Sequence, residues 1–319
     1  MIAVQFDEAG DPSVLHLAER ERPEPGPDSV LIHVRAAGIS PVDLGLRAGT
    51  TPMAKVLPLP HVPGLDAAGV VVAVGAGVTD VRPGDEVFGI VDLAKLGGAT
   101  AEFAVLTSWA SRPPEFAWEQ AASAGTSVET ATRALDLLDI GRDMTILIEG
   151  AAGGVGAVAA QLAVARGGRV IGTARPQTLG IVEALDGVVA VRAGEFLNDD
   201  LRILGIDQVD RALDASGAGV LSALLSLTGS PDRVVTIADF TAPSLGIRLT
   251  QGAFAGEADG RYGLGVAALL AVEGKFRVPL RASFPFSRAS DAHRLADQHP
   301  RWGKVALVNE APRAPLTSR

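Results

Sequence analysis

The sequence predicts an α/β protein in two parts, a β-rich first third and a doubly wound parallel-sheet domain. Three observations carry this. Residues 145–175 read as strand, glycine turn, helix and strand. Residues 1 to about 118 are dense in short β-branched runs and turn signals. Strand-type and helix-type segments then alternate from 188 to 238.

In the central unit, residues 145–149 form an apolar run rich in β-formers, and a turn must follow at Gly150. From Val155 the spacing becomes helical, with Val155, Val158 and Leu162 on one face and Gln161 and Arg166 off it. Gly167-Gly168 stops that helix, and 169–173 is again strand-like. The turn, Ala151-Ala152-Gly153-Gly154-Val155-Gly156, keeps two glycines of G-x-G-x-x-G, with Ala151 in place of the first. Gly153 lets the main chain approach a pyrophosphate at the helix N-terminus, and Gly156 lets the helix lie close to the strand.

An NAD site wants Asp or Glu at the end of the second strand, to accept bonds from the ribose hydroxyls. Here the chain reads Gly172-Thr173-Ala174-Arg175-Pro176, and the next acid is Glu183. No carboxylate repels a 2′-phosphate, Arg175 offers it a cation and Thr173 a hydroxyl, so NADP(H) is favoured over NAD(H). The competing reading of Arg175 is a solvated loop residue.

The 319 residues suit one large or two ordinary domains. A net charge of −9, with no basic stretch interleaved with aromatics, excludes a general nucleic-acid binder. The absence of cysteine excludes disulfides, thiolate catalysis and Cys-ligated zinc. His16, His33, His61, His293 and His299 are scattered, with no H-x-x-x-H pair. Residues 1–6 run straight into Asp7 and Glu8, and the apolar run 264–272 is too short to span a bilayer. A cytoplasmic protein without a membrane partner is expected.

Within the first part, 30–35 and 69–75 read as strands, punctuated by Glu24-Pro25-Gly26-Pro27, Gly75-Ala76-Gly77 and Arg82-Pro83-Gly84-Asp85, which points to a small barrel or sandwich. Texture changes after Ser111-Arg112-Pro113-Pro114. Residues 119–138 read as one helix ended by Gly141. Strands are expected at 188–191, 209–214 and 234–238, with helices at 220–227 and 264–273. Residues 276–286 turn β-like and 305–309 form a last strand, a tail suited to rejoin the first domain.

The order of these blocks resembles the medium-chain dehydrogenase/reductase superfamily, and most closely its zinc-independent, quinone-oxidoreductase-like (zeta-crystallin-like) branch. The carriers are Ala36-Ala37-Gly38-Ile39-Ser40-Pro41-Val42-Asp43, Val62-Pro63-Gly64-Leu65-Asp66-Ala67-Ala68-Gly69-Val70, Arg82-Pro83-Gly84-Asp85-Glu86-Val87, the glycine turn at 150–156, and Gly303-Lys304-Val305-Ala306-Leu307. The resemblance covers nearly the whole chain. It implies a GroES-like catalytic domain over 1–118, completed by 277–319, and a Rossmann NADP(H)-binding domain over 119–276, with a cleft between them.

It also implies roles for residues. Zinc-dependent relatives carry Cys where this chain has Ser40 and a His-Glu pair where it has Leu65-Asp66, so metal-activated chemistry is not expected. Ser40, Asp43 and Thr130 match positions beside the nicotinamide. Ala152, Gly153, Gly154, Val155, Gly156, Thr173, Arg175, Ser216, Ala238, Phe240, Phe254 and Lys304 match the cofactor's path. Rival readings stand beside these: Asp43 as a loop cap, Lys304 as a strand-end surface lysine, Glu129 as a solvated helix charge, Thr130 bonded back to its own helix and His61 as a structural histidine. Relatives often carry Lys after the second Rossmann strand and Tyr after the third. This chain has Thr178-Leu179-Gly180 and Arg192-Ala193 there, which leaves the phosphate to Arg175 and Arg192. Tyr262 lies away from the loop where some enoyl reductases keep a tyrosine. The expected activity is hydride transfer from NADPH to a quinone or activated enone by a homodimer, paired through the β-prone stretch 246–250. The alternatives are a non-catalytic NADPH sensor or structural protein, and a pathway enoyl or carbonyl reductase or cyclase.

Overall fold

Two six-stranded sheets organise a computed structural model that describes residues 1–310, Phe254 by its backbone alone. Residues 311–319, the end of the segment assigned to the catalytic domain, lie outside the described residues.

The first part contains β1 (Ile2–Gln5), β2 (His16–Glu19), β3 (Val30–Ile39), α1 (Pro41–Ala48), β4 (Asp66–Val74), β5 (Glu86–Val91) and β6 (Phe103–Ser111). Next come α2 (Trp118–Ala121), α3 (Gly125–Leu137), β7 (Thr145–Glu149), α4 (Gly154–Ala165), β8 (Arg169–Ala174), α5 (Leu179–Glu183), β9 (Val188–Arg192), α6 (Leu197–Ile203), β10 (Arg211–Asp214), α7 (Leu221–Thr228), β11 (Val234–Thr236) and β12 (Arg248–Leu249). The last elements among the described residues are α8 (Gly263–Val272), β13 (Leu280–Pro285), α9 (Ala289–Asp297) and β14 (Lys304–Val308).

Strand β3 is the spine of the first sheet, whose order is β13-β14-β3-β4-β5-β6 with β3 also paired to β6. Its first half, Val30 to His33, pairs with β6, and its second half, Ala36 to Ile39, pairs with β14. Register shifts against β4, at Leu31/Ile32 and Val34/Ala36, bend the strand between these two uses. The ring β3-β4-β5-β6 therefore closes on itself, and its interior is filled by Ile32, Val34, Leu65, Val71, Val87 and Leu106. Returning β13 and β14 extend this sheet.

The second sheet is parallel, in the order β12-β11-β10-β7-β8-β9. It is covered on both faces, as an all-parallel sheet must be. Ile146 and Ile148 of β7 point to the layer of α3, α4 and α8, and Leu147 points to that of α6 and α7. Strand order reverses between β7 and β10, so the carboxyl ends of these two strands open a crevice.

Where boundaries differ from the sequence reading, packing is the reason. The helix expected over 119–138 is two, α2 and α3, separated by a turn at 122–124. Gly38 of β3 lies against that turn so closely that a Cβ there would meet the Ala122 carbonyl oxygen at 2.5 Å. The strand expected over 234–238 stops at Thr236, whose hydroxyl accepts from Ala238 N and Asp239 N and bends the chain away. The stretch 246–250 supplies β12, the short edge of the parallel sheet.

Helix α9 packs against α1 and buries His293, whose Nδ1 has no partner among the described residues. Nearby, Arg47 donates to the Gly10 carbonyl at 2.6 Å and pairs with Asp297. Burial, then the Arg47 charge, lower the imidazole pKa to about 3, against 6.5 for the free side chain. The folded chain thus holds this histidine neutral while the unfolded chain protonates it. Stability is full above pH about 6.5 and falls with acidity down to about 3, by up to about 1.4 kcal/mol per pH unit. Urea unfolding at about pH 7.5 and about pH 5 should show this loss in the native chain and a smaller one in His293→Leu. Equal pH dependence of the two would contradict a neutral buried His293.

Candidate functional site

The crevice begins at the glycine turn. Gly150 ends β7 with φ +82°, a left-handed conformation that strains any side chain. It therefore takes the tight-turn role of the first glycine, one position before Ala151, where the sequence reading had placed it. Gly153 is the N-cap of α4, and no side chain caps that helix. A Cβ on Gly156 would collide with the Gly150 carbonyl, which keeps the helix tight on the strand. Ala152 is buried, whereas Gly153, Gly154 and Val155 are half-buried. Uncapped N–H groups at a helix start fit a dinucleotide's diphosphate.

Two buried carboxylates hold this turn from beneath. Thr173 donates to Glu149 Oε2 at 2.5 Å and accepts from Gly150 N at 3.1 Å. Its hydroxyl, expected to face a phosphate, is thus fully buried and committed to the turn. Burial raises the Glu149 pKa, partly offset by the Thr173 bond. Asp214, beside Glu149 in register, accepts from Ser216 N, Ser216 Oγ, Gly217 N and Thr236 Oγ1 at 2.8–3.0 Å. Ser216 thereby lies against Gly150, where a Cβ would meet its own Cβ at 3.0 Å, and Gly217 lies against Ala238. Phe240 follows on the surface, 73% exposed. Past the end of β8, Arg175 is exposed, and among the described residues its side chain has no hydrogen bond or ion pair. Arg192, the second expected phosphate ligand, is instead bound to Asp200 through its Nε at 3.0 Å and stacked on Phe196.

The returning strand closes the crevice on its other side. Gly303 donates to the Ala152 carbonyl at 2.8 Å and bridges to Gly153. Lys304 then crosses Gly154, where a Cβ would meet its Cδ at 2.7 Å. Its ammonium lies 3.7 Å from Asp66 Oδ2, with both side chains buried. It is no strand-end surface lysine. Asp66 also accepts from Thr126 N and Thr126 Oγ1, each at 2.7 Å. Burial raises the Asp66 pKa, and the Lys304 charge opposes that rise.

Ser40 and Asp43 sit next to this pair. The β3–β14 register puts Val305 opposite Ile39, so one further step brings Lys304 alongside Ser40. Ser40 is the N-cap of α1 and Asp43 its capping-box partner. Asp43 accepts from Ser40 N and Ser40 Oγ at 2.8 Å and from Gly64 N at 2.9 Å. The loop-cap reading of Asp43 is therefore what the geometry shows, and the carboxyl is not exposed. Burial pushes its pKa up to about 6, against those three bonds, with the Asp66 charge adding to the rise. Leu65, where zinc relatives carry His, is a buried core residue, and among the described residues no three His, Cys, Asp or Glu are grouped to hold a metal. His61 is structural, stacked edge-on to Phe6 with Nε2 at 3.1 Å from the Leu96 carbonyl oxygen.

Thr130 lies one turn beyond Thr126 on α3, on the same face. Its hydroxyl donates to Glu129 Oε2 at 3.1 Å. Glu129, read from sequence as a solvated charge, is buried and paired with Arg133 at 2.8 Å. The four-residue spacing of Glu129 and Arg133 was the available signal. Phe254 lies in a 3-10 turn (Gly252–Ala255), and its side chain is outside the description. Tyr262 is exposed and bonded to Asp136 at 2.7 Å. Asp66 and Thr126 are the site residues that sequence reasoning missed, because nothing local shows that β4, α3 and β14 converge.

Two family models match the chain, "Alcohol dehydrogenase GroES-like domain" over residues 26–111 and "Zinc-binding dehydrogenase" over 184–307. The chain is 34% identical over 230 residues to a quinone oxidoreductase of Sus scrofa, covering 71% of this chain and 67% of the relative. It is 32% identical over 296 residues to a chloroplastic NADPH-dependent alkenal/one oxidoreductase of Arabidopsis thaliana, covering 89% and 73%. The solved quinone oxidoreductase of Coxiella burnetii superposes with a TM-score of 0.81 at 29% identity, over 97% of this chain and 99% of that one.

The buried Lys304–Asp66 pair makes a testable demand on stability. Removing the cation alone leaves a buried carboxylate uncompensated, at a cost of about 3–5 kcal/mol, whereas removing both charges restores part of it. Denaturant unfolding should place Lys304→Met well below the native chain and Lys304→Met/Asp66→Asn above the single variant. A double variant no more stable than the single one would contradict the pairing.

Proposed function

The chain belongs to the medium-chain dehydrogenase/reductase superfamily, in its quinone-oxidoreductase-like branch, and from that premise we propose that it is a zinc-independent, NADPH-dependent oxidoreductase acting on a quinone or an activated enone. The fold implies a nicotinamide cofactor. The observation that carries the choice of NADPH is the end of β8, where no acid comes before Glu183 and Arg175 stands exposed and, among the described residues, unpaired.

A bound reduced nicotinamide supplies a hydride. The residues of this chain bind and orient. Residues 152–156 hold the diphosphate on the uncapped start of α4, and Arg175 pairs with the 2′-phosphate. Ser216, Ala238, Phe240 and the Phe254 turn border the nicotinamide half, and Lys304, held by Asp66, sets the width of the crevice. Ser40 and Thr130 flank the acceptor. Holding the acceptor and the ring in contact, away from water, is the main catalytic device.

Proton supply decides the acceptor. Reducing an enone needs a proton at the carbon next to the one that takes the hydride. Asp43 is already an acceptor for three donors, and with a pKa of about 6 it is mostly ionised at neutrality. Ser and Thr hydroxyls are weak acids. A quinone avoids the requirement, since its reduced oxygens take protons from solvent. Two copies pair in this proposal through β12, an edge with unpaired backbone groups, which light scattering checks as twice the monomer mass.

Titration by cofactor fluorescence should show NADPH binding more tightly than NADH, and Arg175→Ala should narrow the gap by about 1–3 kcal/mol. Equal native affinities would sink the cofactor assignment. In steady-state assays an ortho- or para-quinone should outperform a simple enoyl ester, with or without a metal chelator. Ser40→Ala, Asp43→Asn and Thr130→Val, made singly, should slow turnover without abolishing it. A single variant that loses enone reduction while binding NADPH normally would reveal a dedicated acid and overturn the positioning mechanism.

A further inference from the structure

Residues 250–262 follow the carboxyl end of β12, on the same side of the parallel sheet as the crevice. This strap carries the Phe254 turn and is clamped on α3 at three places. At its start, Arg133 donates to Thr250 Oγ1 and lies 3.8 Å from Glu257 Oε2. Glu257 Oε2 in turn accepts from Thr250 Oγ1 at 2.5 Å, Gln251 N at 3.0 Å and Gly252 N at 2.8 Å, so one carboxylate gathers the first turn of the strap. Near its end, Gly260 N donates to Glu129 Oε1 at 3.3 Å, and Tyr262 reaches Asp136 and Arg166.

Arg133 is the hub. Its guanidinium, 6% exposed, donates through Nε to Glu129 Oε1 at 2.8 Å and through Nη2 to Glu129 Oε2 at 3.2 Å and Thr130 Oγ1 at 3.4 Å. Gly252 lies directly on it with φ +62°, and a Cβ there would meet Nε at 2.9 Å. One planar cation therefore fixes the rotamer of Glu129, the hydroxyl of Thr130 and the root of the strap together, a fork geometry that lysine cannot reproduce. Between the clamps, Ala253, Ala255 and Gly256 are exposed.

We propose that Arg133 is a positioning residue for the nicotinamide end of the cofactor, acting by holding the strap 250–260 in register with Thr130 on α3. This rests on the nicotinamide-cofactor reading above and adds to it a residue that need not touch the cofactor. In this proposal the strap acts on the nicotinamide half, whereas the glycine turn holds the diphosphate and Arg175 the 2′-phosphate of the adenosine half. Loss of the hub is therefore felt by the whole dinucleotide and not by its adenosine fragment.

The test compares NADPH with 2′,5′-ADP, which lacks the nicotinamide half, by calorimetric titration of the full chain. Arg133→Lys should bind NADPH about tenfold more weakly and raise its KM in proportion, with 2′,5′-ADP affinity unchanged. Glu257→Gln leaves the Arg133–Glu129 pair in place and so guards against misfolding. It should show the same pattern to a lesser degree. If either variant loses NADPH and 2′,5′-ADP equally, or loses neither, while the native chain binds both, the positioning role is overturned and the cofactor reading stands. If the native chain prefers NADH, the same comparison with NADH and ADP-ribose decides the role of Arg133 while the NADPH choice fails. A native chain that binds no nicotinamide dinucleotide overturns both.

Discussion

The site depends first on the return of β14 and the residue before it to the glycine turn. Gly303 bonds to Ala152 while Lys304 crosses Gly154 and ends beside Asp66. This seam joins segments about 150 residues apart in sequence and fixes the parallel sheet against the closed one. A bare methylene stem across a glycine and a compensated charge at its end are both short-range, so the spacing between the two sheets is set tightly there. Without the seam, α4 would present its uncapped N–H groups to open water rather than to a walled crevice.

Buried charge is used in a consistent way around this crevice. Asp43, Asp66, Glu149 and Asp214 are all nearly inaccessible, and each accepts hydrogen bonds from backbone or hydroxyl donors. Each holds a turn: the start of α1, the start of α3, the glycine turn, and the bend after β10. Acceptors committed in this way make rigid walls, which is why the chemistry proposed here relies on orientation. At Asp66 the Lys304 ammonium supplies the opposing charge.

The parallel sheet and the closed sheet differ in how they tolerate an edge. The closed sheet hides its β3–β6 contact inside the ring, and β14 with β13 lengthens it on one side. In the parallel sheet, β12 is only two residues long, yet the strap that follows it is anchored by Arg133, Glu257 and Glu129. The edge strand is thus coupled to the crevice through side chains rather than through a longer ladder.

Much of this protein was legible in its sequence because the signals are local. A β-run, a glycine turn and a helical apolar period define β7, α4 and β8 within about 30 residues, and the missing acid after β8 speaks to cofactor choice without any tertiary information. The block order carried the family. Tertiary structure decided which polar residues are free. Thr173 and Arg192 look available for a phosphate in sequence, but partners 24 and 8 residues away take them, and of these three candidates Arg175 alone is left without a partner among the described residues. Glu129 and Lys304 look like surface charges until helix and strand are packed, and Asp66 gains its partners from α3 and β14, 60 and 238 residues distant. The physical reason is the same throughout. Backbone propensity and apolar period act over a few residues, whereas the desolvation that forces a charge to find a partner exists only once distant segments have met.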